Sequence, residues 1–445
     1  MDQHYEPELL TPADLDDMLI DLPEEGRFEV GRRMFEDPAV FDLEMRHIFE
    51  STWIYVCHES QVPDPHDYFA GRIGLNKVLI TRNGEGELKG FLNSCTHRGL
   101  QLTTAKKGNK KNFMCPFHGW VFNSDGVCAV DSHADGAYSD SFDQQGHNLV
   151  SVAKLESYRG FVFASLSADV PTLTEFLGGA AIALDMFADQ SEEGLEVLKG
   201  EIRYSSRANW KTQLENIDGY HFFPTHMSYI GLIQKRMEED NPTVQTIDAT
   251  AMASMPGGAY EFENGHCMNW TFMPNGDERP LGFQRERIEK QFGAEKSRWM
   301  IDHVRNAIIY PSVLFMDQSS STIRLVHPVS ATESLIEIYC LAPKGEPAEA
   351  RERRIRQYED FLGPAGLATT DDQSLFEACQ RGVMSSQIPM MHGYGRGVER
   401  IKPGTDSAGK AVGIDAMTHS DINDEAMIHG SYRVWKEMMA KGLAS

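Results

Sequence analysis

Two groups of residues have the types and spacing to hold metals. The first is Cys95-Thr-His97 and, seventeen residues further on, Cys115-Pro-Phe-His118, with glycines at Gly99 and Gly119 just beyond. Two loops of this kind facing each other suit a [2Fe–2S] cluster with both cysteines on one iron and both histidines on the other. Imidazoles replacing two thiolates raise the reduction potential by roughly a few hundred millivolts over an all-cysteine ferredoxin. A structural zinc site is the alternative, but such sites more often pair C-x2–4-C with H-x3–5-H than alternate C-x-H and C-x2-H.

The second group centres on NWKTQLENIDGYHFFPTH, read here as a helix opened by Asn209-Trp210-Lys211. Asp218 and His221, three apart, would share a helix face. His226 lies about 140° round a straight helix from His221. Pro224 forbids continuation of that helix and pushes Phe223 out of the α region, so His226 is free to fold back toward His221. Two imidazoles and one carboxylate on one face of Fe(II) leave the opposite face open for O2 and substrate. The carboxylate must come from elsewhere, and GPAGLATTDDQSLFEACQ is the best source. There Thr370 reads as an N-cap with Gln373 three residues on. Asp371 and Asp372 would then occupy the first turn, where complementing the helix dipole is the plainer role.

The elements that must position these groups fall into two parts. Residues 10 to 50 carry apolar residues at helical spacing. VLITRNGEGELKGFLN reads as a hairpin turning at Asn83-Gly84, GWVFNSDGVCAV as another turning at Asp125-Gly126, and YRGFVFASL as a further strand. A small antiparallel β domain over 40–165 accounts for them. Beyond it, strands such as STIRLVHPV and LIEIYCLAP alternate with helices. One helix, EARERRIRQYEDFLGP, is stopped by Gly363 and Pro364, and a last one covers about 423–440. The expected fold class is α+β: the antiparallel β domain, then an α+β catalytic domain formed by 1–39 and 166–445, an antiparallel sheet with covering helices.

A chain of 445 residues is long enough for two such domains. Its formal charge of −24 opposes binding to nucleic acid or an anionic membrane. No run of eighteen apolar residues spans a membrane, and the acidic N-terminus lacks a signal pattern, so a cytoplasmic protein is expected. Seven cysteines, an odd and scattered set, do not make a disulfide framework and read better as reduced thiols and metal ligands.

The first group resembles the Rieske motif. Leu100 and Phe117 stand where Rieske proteins of respiratory chains carry an extra pair of bridged cysteines, which places this chain with the lower-potential oxygenases and ferredoxins. Glu215-Asn216, Asp218-Gly-Tyr-His221 and His226 resemble Rieske ring-hydroxylating oxygenases. That resemblance implies that His221, His226 and Asp372 bind a mononuclear Fe(II) and that Asp371 only caps its helix. It also implies that Asp218 links His221 to a cluster histidine, here the position of His118, across a contact between subunits.

Three longer stretches, LDDMLIDLPEEGRFEVGRRMF, FDLEMRHIFESTWIYVCHESQVPDPHDYF and GLATTDDQSLFEACQRG, resemble the benzoate, anthranilate and halobenzoate dioxygenase group. The resemblance implies a large α subunit, in an α3β3 assembly with a small β subunit or as an α trimer alone. Its reaction would add both atoms of O2 to an aromatic acid as a cis-diol, with NADH and flavin on a separate reductase. In keeping with this, Gly393-Tyr-Gly395-Arg-Gly397 lacks the strand and helix flanks of a dinucleotide site. Candidate pocket residues are Phe222, Phe223, Met227, Leu367 and Ala368, with His266, Arg305 and Arg324 as cations for a substrate carboxylate. Competing expectations are a monooxygenase (a salicylate-type hydroxylase or demethylase), a dioxygenase of aromatic amines, an electron carrier and a zinc-stapled interaction protein.

Overall fold

The computed structural model describes residues 10–130, 147–238, 254–318, 320–363, 366–385 and 387–444. The chain divides into two compact units, Phe49–Leu173 and the combination of Met1–Ile48 with Thr174–Ser445, where the sequence reading drew limits at 40 and 165.

The first unit contains three antiparallel sheets. Strands Asn76–Arg82 and Leu88–Leu92 form the first hairpin, but its connection spans Asn83–Glu87 and is not the two-residue Asn-Gly turn expected. The reason is the Asn83 side chain, whose Oδ1 accepts from the Glu85 and Glu87 amides at 3.1 and 2.8 Å and closes a longer loop. The second hairpin, Val121–Asn123 with Cys128–Val130, turns through Asp125-Gly126 as expected. Strand Phe161–Ser165 lies between Lys154–Tyr158 and Ile54–His58. Tyr68, Leu79, Phe91, Trp120 and Phe122 fill the interior, and Cys95 and Cys115 belong to the same apolar cluster. The two loop cysteines are therefore held by packing before any metal arrives.

The second unit is built on a ten-stranded antiparallel sheet. Its strands are β1 (Leu195–Val197), β2 (Ile202–Ser206), β3 (Gly257–Glu261), β4 (Cys267–Phe272), β5 (His303–Ile309), β6 (Val313–Asp317), β7 (Ser321–Ser330), β8 (Glu333–Pro343), β9 (Lys402–Pro403) and β10 (Thr418–Ser420). They run in the order β1-β8-β7-β6-β5-β4-β3-β10-β9, with β2 also paired to β8. β6 is buried at every position and β7 at nearly all, so both faces of the sheet centre are covered. That is why β6 reads as a nearly continuous apolar run, and why β7 does not alternate cleanly between apolar and polar residues.

Helices α1 (Trp210–Leu214), α2 (Phe222–Thr225), α3 (Met227–Glu238), α4 (Ala348–Leu362), α5 (Leu367–Val383) and α6 (His429–Leu443) belong to the same unit. α4 stops at Gly363 as expected, while Pro364 lies outside the described residues. α6 starts later than predicted because the Asp421 carboxylate accepts the Asn423 amide at 2.9 Å, holding that stretch in a turn. The expected helical run over 10–50 is corrected too. After helix Pro12–Met18 come paired strands Leu19–Leu22 and Arg27–Gly31, and helices resume at Arg33. Strands of four and five residues are too short for periodicity to tell them from helix.

A buried network fixes α1. The Glu44 carboxylate accepts from Trp210 Nε1 at 2.8 Å, Lys211 Nζ at 2.5 Å and Trp435 Nε1 at 2.7 Å. Burial pulls the Lys211 ammonium below its ordinary pKa, opposed by the charge and hydrogen bond of Glu44 and by the charge of Glu215. Among the described residues no helix is long and apolar enough to cross a membrane.

Candidate metal centres

The two cysteine–histidine loops fold as copies of one turn. The Cys95 amide donates to Leu100 O at 2.8 Å and the Gly99 amide to Cys95 O at 2.8 Å. In the second loop the Cys115 amide donates to Trp120 O at 2.7 Å and the Gly119 amide to Cys115 O at 2.9 Å. Each turn needs a residue with positive φ, supplied by Gly99 at 77° and Gly119 at 76°. The cysteines are buried and the histidines half-buried at the rim.

The His97 and His118 rings meet edge to face with centroids 4.5 Å apart, and His97 stacks on Trp120 at 4.8 Å. Both cysteines are free thiols. The Cys95 thiol is pushed up first by burial and further by Cys115, which lies within hydrogen-bonding reach. Paired thiols beside paired imidazoles are the donor set of a cluster with unlike ends. Among the described residues the one set of three or more His, Cys, Asp or Glu donors within 4.8 Å of one another is in the other unit. The four loop donors are thus too spread for a single tetrahedral zinc.

That compact set is His221, His226 and Asp372. Asn209 caps α1 as expected, its Oδ1 accepting from the Lys211 amide at 3.0 Å. The long helix predicted to follow does not form, because α1 ends at Leu214 and Asp218 sits in irregular chain. Asp218 Oδ1 instead captures the His221 amide at 2.9 Å, with Oδ2 3.1 Å from His221 Nδ1. An aspartate that hydrogen-bonds backbone locally offers an alternative to helix, and Gly219 next to it lowers helix propensity further.

Pro224 does not break a helix either. It sits within the single turn of α2, where an absent amide hydrogen costs nothing, and Phe223 is helical. The fold-back occurs at His226 itself, at φ −103° and ψ 32° between α2 and α3. The two rings end with centroids 5.6 Å apart.

Asp372 arrives from α5, whose N-cap is Gly366 and not Thr370. Thr370 Oγ1 donates backward to Leu367 O at 2.9 Å, so the aspartates fall in the second turn. Asp372 is 5% exposed; its Oδ2 accepts from Asn216 Nδ2 at 2.8 Å while Oδ1 lies 3.3 Å from His226 Nε2. Asp371 is not a cap: its Oδ2 lies 3.7 Å from His226 Nδ1. Each histidine therefore has a carboxylate on its Nδ1 side, leaving Nε2 for a metal. Burial opposes the His221 cation, but the Asp218 hydrogen bond and charge outweigh it and raise its basicity. A buried carboxylate oxygen and two imidazole nitrogens with a shared opening fit a divalent metal well.

The three donors border a cavity of about 130 Å³. Phe222 and Phe223 line it. Met227, Leu367 and Ala368 do not. Met227 is 63% exposed on α3, whereas Leu367 and Ala368 pack with Tyr229 and Ile233 between helices. The wall that sequence reasoning missed is the sheet: Asn269, Val304, Asn306 and Met316 face the donors, with Gln318 just past the end of β6. Only strand register brings them together, and register was not readable from one sequence. A second cavity, bordered by Glu215, Asp218 and Glu425, lies behind the His221–Asp218 pair.

Comparison with known proteins gives this geometry a family. Residues 52–142 match the Rieske [2Fe-2S] domain, and residues 195–441 match the ring hydroxylating alpha subunit (catalytic domain). The Toluate 1,2-dioxygenase subunit alpha of Pseudomonas putida is 42% identical over 96% of this chain and 95% of that protein. The 2-halobenzoate 1,2-dioxygenase large subunit of Burkholderia cepacia is 38% identical, covering 95% and 91%. A crystal structure of naphthalene 1,2-dioxygenase from Rhodococcus sp. bound to indole shares the fold, with a TM-score of 0.81 at 24% identity over 93% of this chain and 94% of that one. The chain belongs to the alpha subunits of Rieske-type ring-hydroxylating dioxygenases, oxidoreductases that carry a [2Fe–2S] cluster and a mononuclear iron.

Proposed function

We propose that this chain cis-dihydroxylates a single-ring aromatic acid, with Cys95, His97, Cys115 and His118 holding the cluster and His221, His226 and Asp372 holding the mononuclear iron. The observation that carries the proposal is the convergence of two imidazoles and one carboxylate on a cavity that also presents apolar side chains, Phe222, Phe223, Val304 and Met316 among them. A cavity of about 130 Å³ is near the roughly 150 Å³ that takes up benzene in an engineered protein core, which favours one ring over several. The toluate, halobenzoate and anthranilate dioxygenases it resembles are named for benzoate-type acids. The bound iron would supply the site at which O2 is activated.

This chain's residues supply the rest. Asp218 fixes the His221 ring, Asn216 turns Asp372 toward the histidines, and Phe222, Phe223 and Met316 keep water away from the ring. Electrons would come from NADH through a separate flavin reductase. Seven free cysteines agree with a reducing, cytoplasmic setting. We also infer assembly as an α trimer, with or without a small β subunit, in which Asp218 hydrogen-bonds both His221 and the cluster histidine of a neighbouring subunit, at the position of His118, and so joins the two centres.

The decisive experiment supplies 18O2, a reductase and NADH with benzoate or toluate. Both labelled atoms should appear in a cis-diol acid; one labelled atom, or none, contradicts the proposal. For Asp218→Asn the expected outcome is a drop in turnover of about 10–100-fold, the usual cost of losing an outer partner of a ligand. Both metal centres should remain, and reduction of the cluster by the reductase should keep its normal rate. A fall in iron content instead would make Asp218 merely structural.

A further inference from the structure

Sequence alone left three cations to receive a substrate carboxylate, and the structure removes two. His266 is fully buried, with Nε2 2.9 Å from Phe176 O and Nδ1 accepting the Tyr310 amide at 3.0 Å. Burial holds its pKa down to about 4, so it carries no charge at neutral pH. Arg305 already donates to Asp317, which also accepts from Arg279 Nη2 at 3.0 Å. It lies between Val304 and Asn306, which both face the cavity, so strand alternation sends it to the opposite side of the sheet.

Arg324 is different on each count. In the register, Asn269 on β4 opposes Asn306 on β5, which opposes Met316 on β6, which opposes Thr322 on β7. Directly opposed residues share a face, and Arg324 is two positions beyond Thr322, on that same face. It lines the cavity together with His221, His226 and Asp372. The residue is 2% exposed, and its Nε is buried without a hydrogen-bond partner. Among the described residues none forms an ion pair or a side-chain hydrogen bond with it. Its positive charge is felt at the Tyr204 phenol, as is the negative charge of Asp372. Asp372, however, is the carboxylate assigned to the metal. A buried guanidinium with no counter-charge of its own is costly to keep, and an anion brought by a ligand would offset that cost.

We propose that Arg324 receives the carboxylate of the aromatic substrate and thereby sets which edge of the ring faces the His221–His226–Asp372 site; this rests on the aromatic-acid reading above. A guanidinium presents two parallel N–H groups to a carboxylate, which fixes orientation as well as affinity. Gln318 and Asn306 in the same wall are neutral and leave Arg324 as the cation of this cavity among the described residues.

The test compares benzoate with benzamide, its neutral isostere, on the complete enzyme with its reductase. Wild type should bind benzoate at least tenfold more tightly than benzamide. Arg324→Gln should weaken benzoate on the order of 100-fold in Kd and KM while benzamide changes less than about threefold. Arg324→Lys keeps the charge but loses the fork, so it should retain a preference for benzoate at an affinity reduced by roughly tenfold. Equal losses for acid and amide in both variants, or unchanged benzoate affinity in either, would overturn the assignment. If wild type accepts benzoate and the glutamine variant binds it with unchanged affinity, only the Arg324 proposal falls. If wild type rejects every aromatic acid and turns over neutral rings, the aromatic-acid reading falls with it.

Discussion

Replacing Asp372 by asparagine is expected to empty the mononuclear iron site while leaving the fold and the cluster intact. The substitution keeps shape and the contact with Asn216, whose Nδ2 lies 2.8 Å from Asp372 Oδ2. What it removes is the only anionic donor among the three residues that gather within 4.8 Å. Loss of an outer partner costs about 10–100-fold in metal affinity, so loss of a charged ligand should exceed roughly 100-fold. Turnover should fall below detection. Metal-free protein should unfold no earlier than wild type, because Asp372 Oδ1 is a buried carboxylate oxygen without a hydrogen bond and removing that charge relieves a burial penalty.

Asp371→Asn serves as the contrast. Its carboxylate is 3.7 Å from His226 Nδ1, too far for a hydrogen bond, so any loss of iron should stay within about 10–100-fold. Iron content per chain, measured beside the visible spectrum of the cluster, reads both variants. Equal iron in Asp372→Asn and wild type would remove this aspartate from the ligand set.

Cys115→Ser should produce the complementary failure. Cys115 is 2% exposed, packed in the core of its unit beside Cys95. Serine fits the space, but an iron–sulfur cluster needs the thiolate. The expected protein is colourless, lacks acid-labile sulfide, keeps about one iron per chain at the other centre and shows no NADH-dependent turnover. A variant that kept the visible spectrum would move the cluster away from these loops. The two substitutions thus separate the centres: one loses the mononuclear iron with the cluster present, the other the cluster with the mononuclear iron present.

The parts of this account that were legible in sequence are those in which chemistry and spacing are local. C-x-H and C-x2-H each fit in one turn, and Gly99 and Gly119 mark the positive φ those turns require. The strands β7 and β8 announced themselves through long β-branched runs. Harder to see was how Asp218 meets His221, since helical spacing and a capturing side chain predict the same pair for different reasons. The start of α5 at Gly366 was hidden by Thr370 and Gln373, which imitate a cap three residues too late.

Least legible was the wall opposite the metal ligands. Asn269, Asn306, Met316 and Arg324 come from four strands, and only the pairing of β4 through β7 aligns them. The same limit explains the pocket residues that were misplaced. Leu367 and Ala368 adjoin the ligand-bearing turn in sequence, yet α5 rotates them toward Tyr229 and Ile233.

Quantifying metals and sulfide in the purified chain bears on all of this at once. An account with two centres predicts about three iron atoms and two acid-labile sulfides per chain, a red-brown protein and negligible zinc. One zinc per chain with neither iron nor labile sulfide would contradict it.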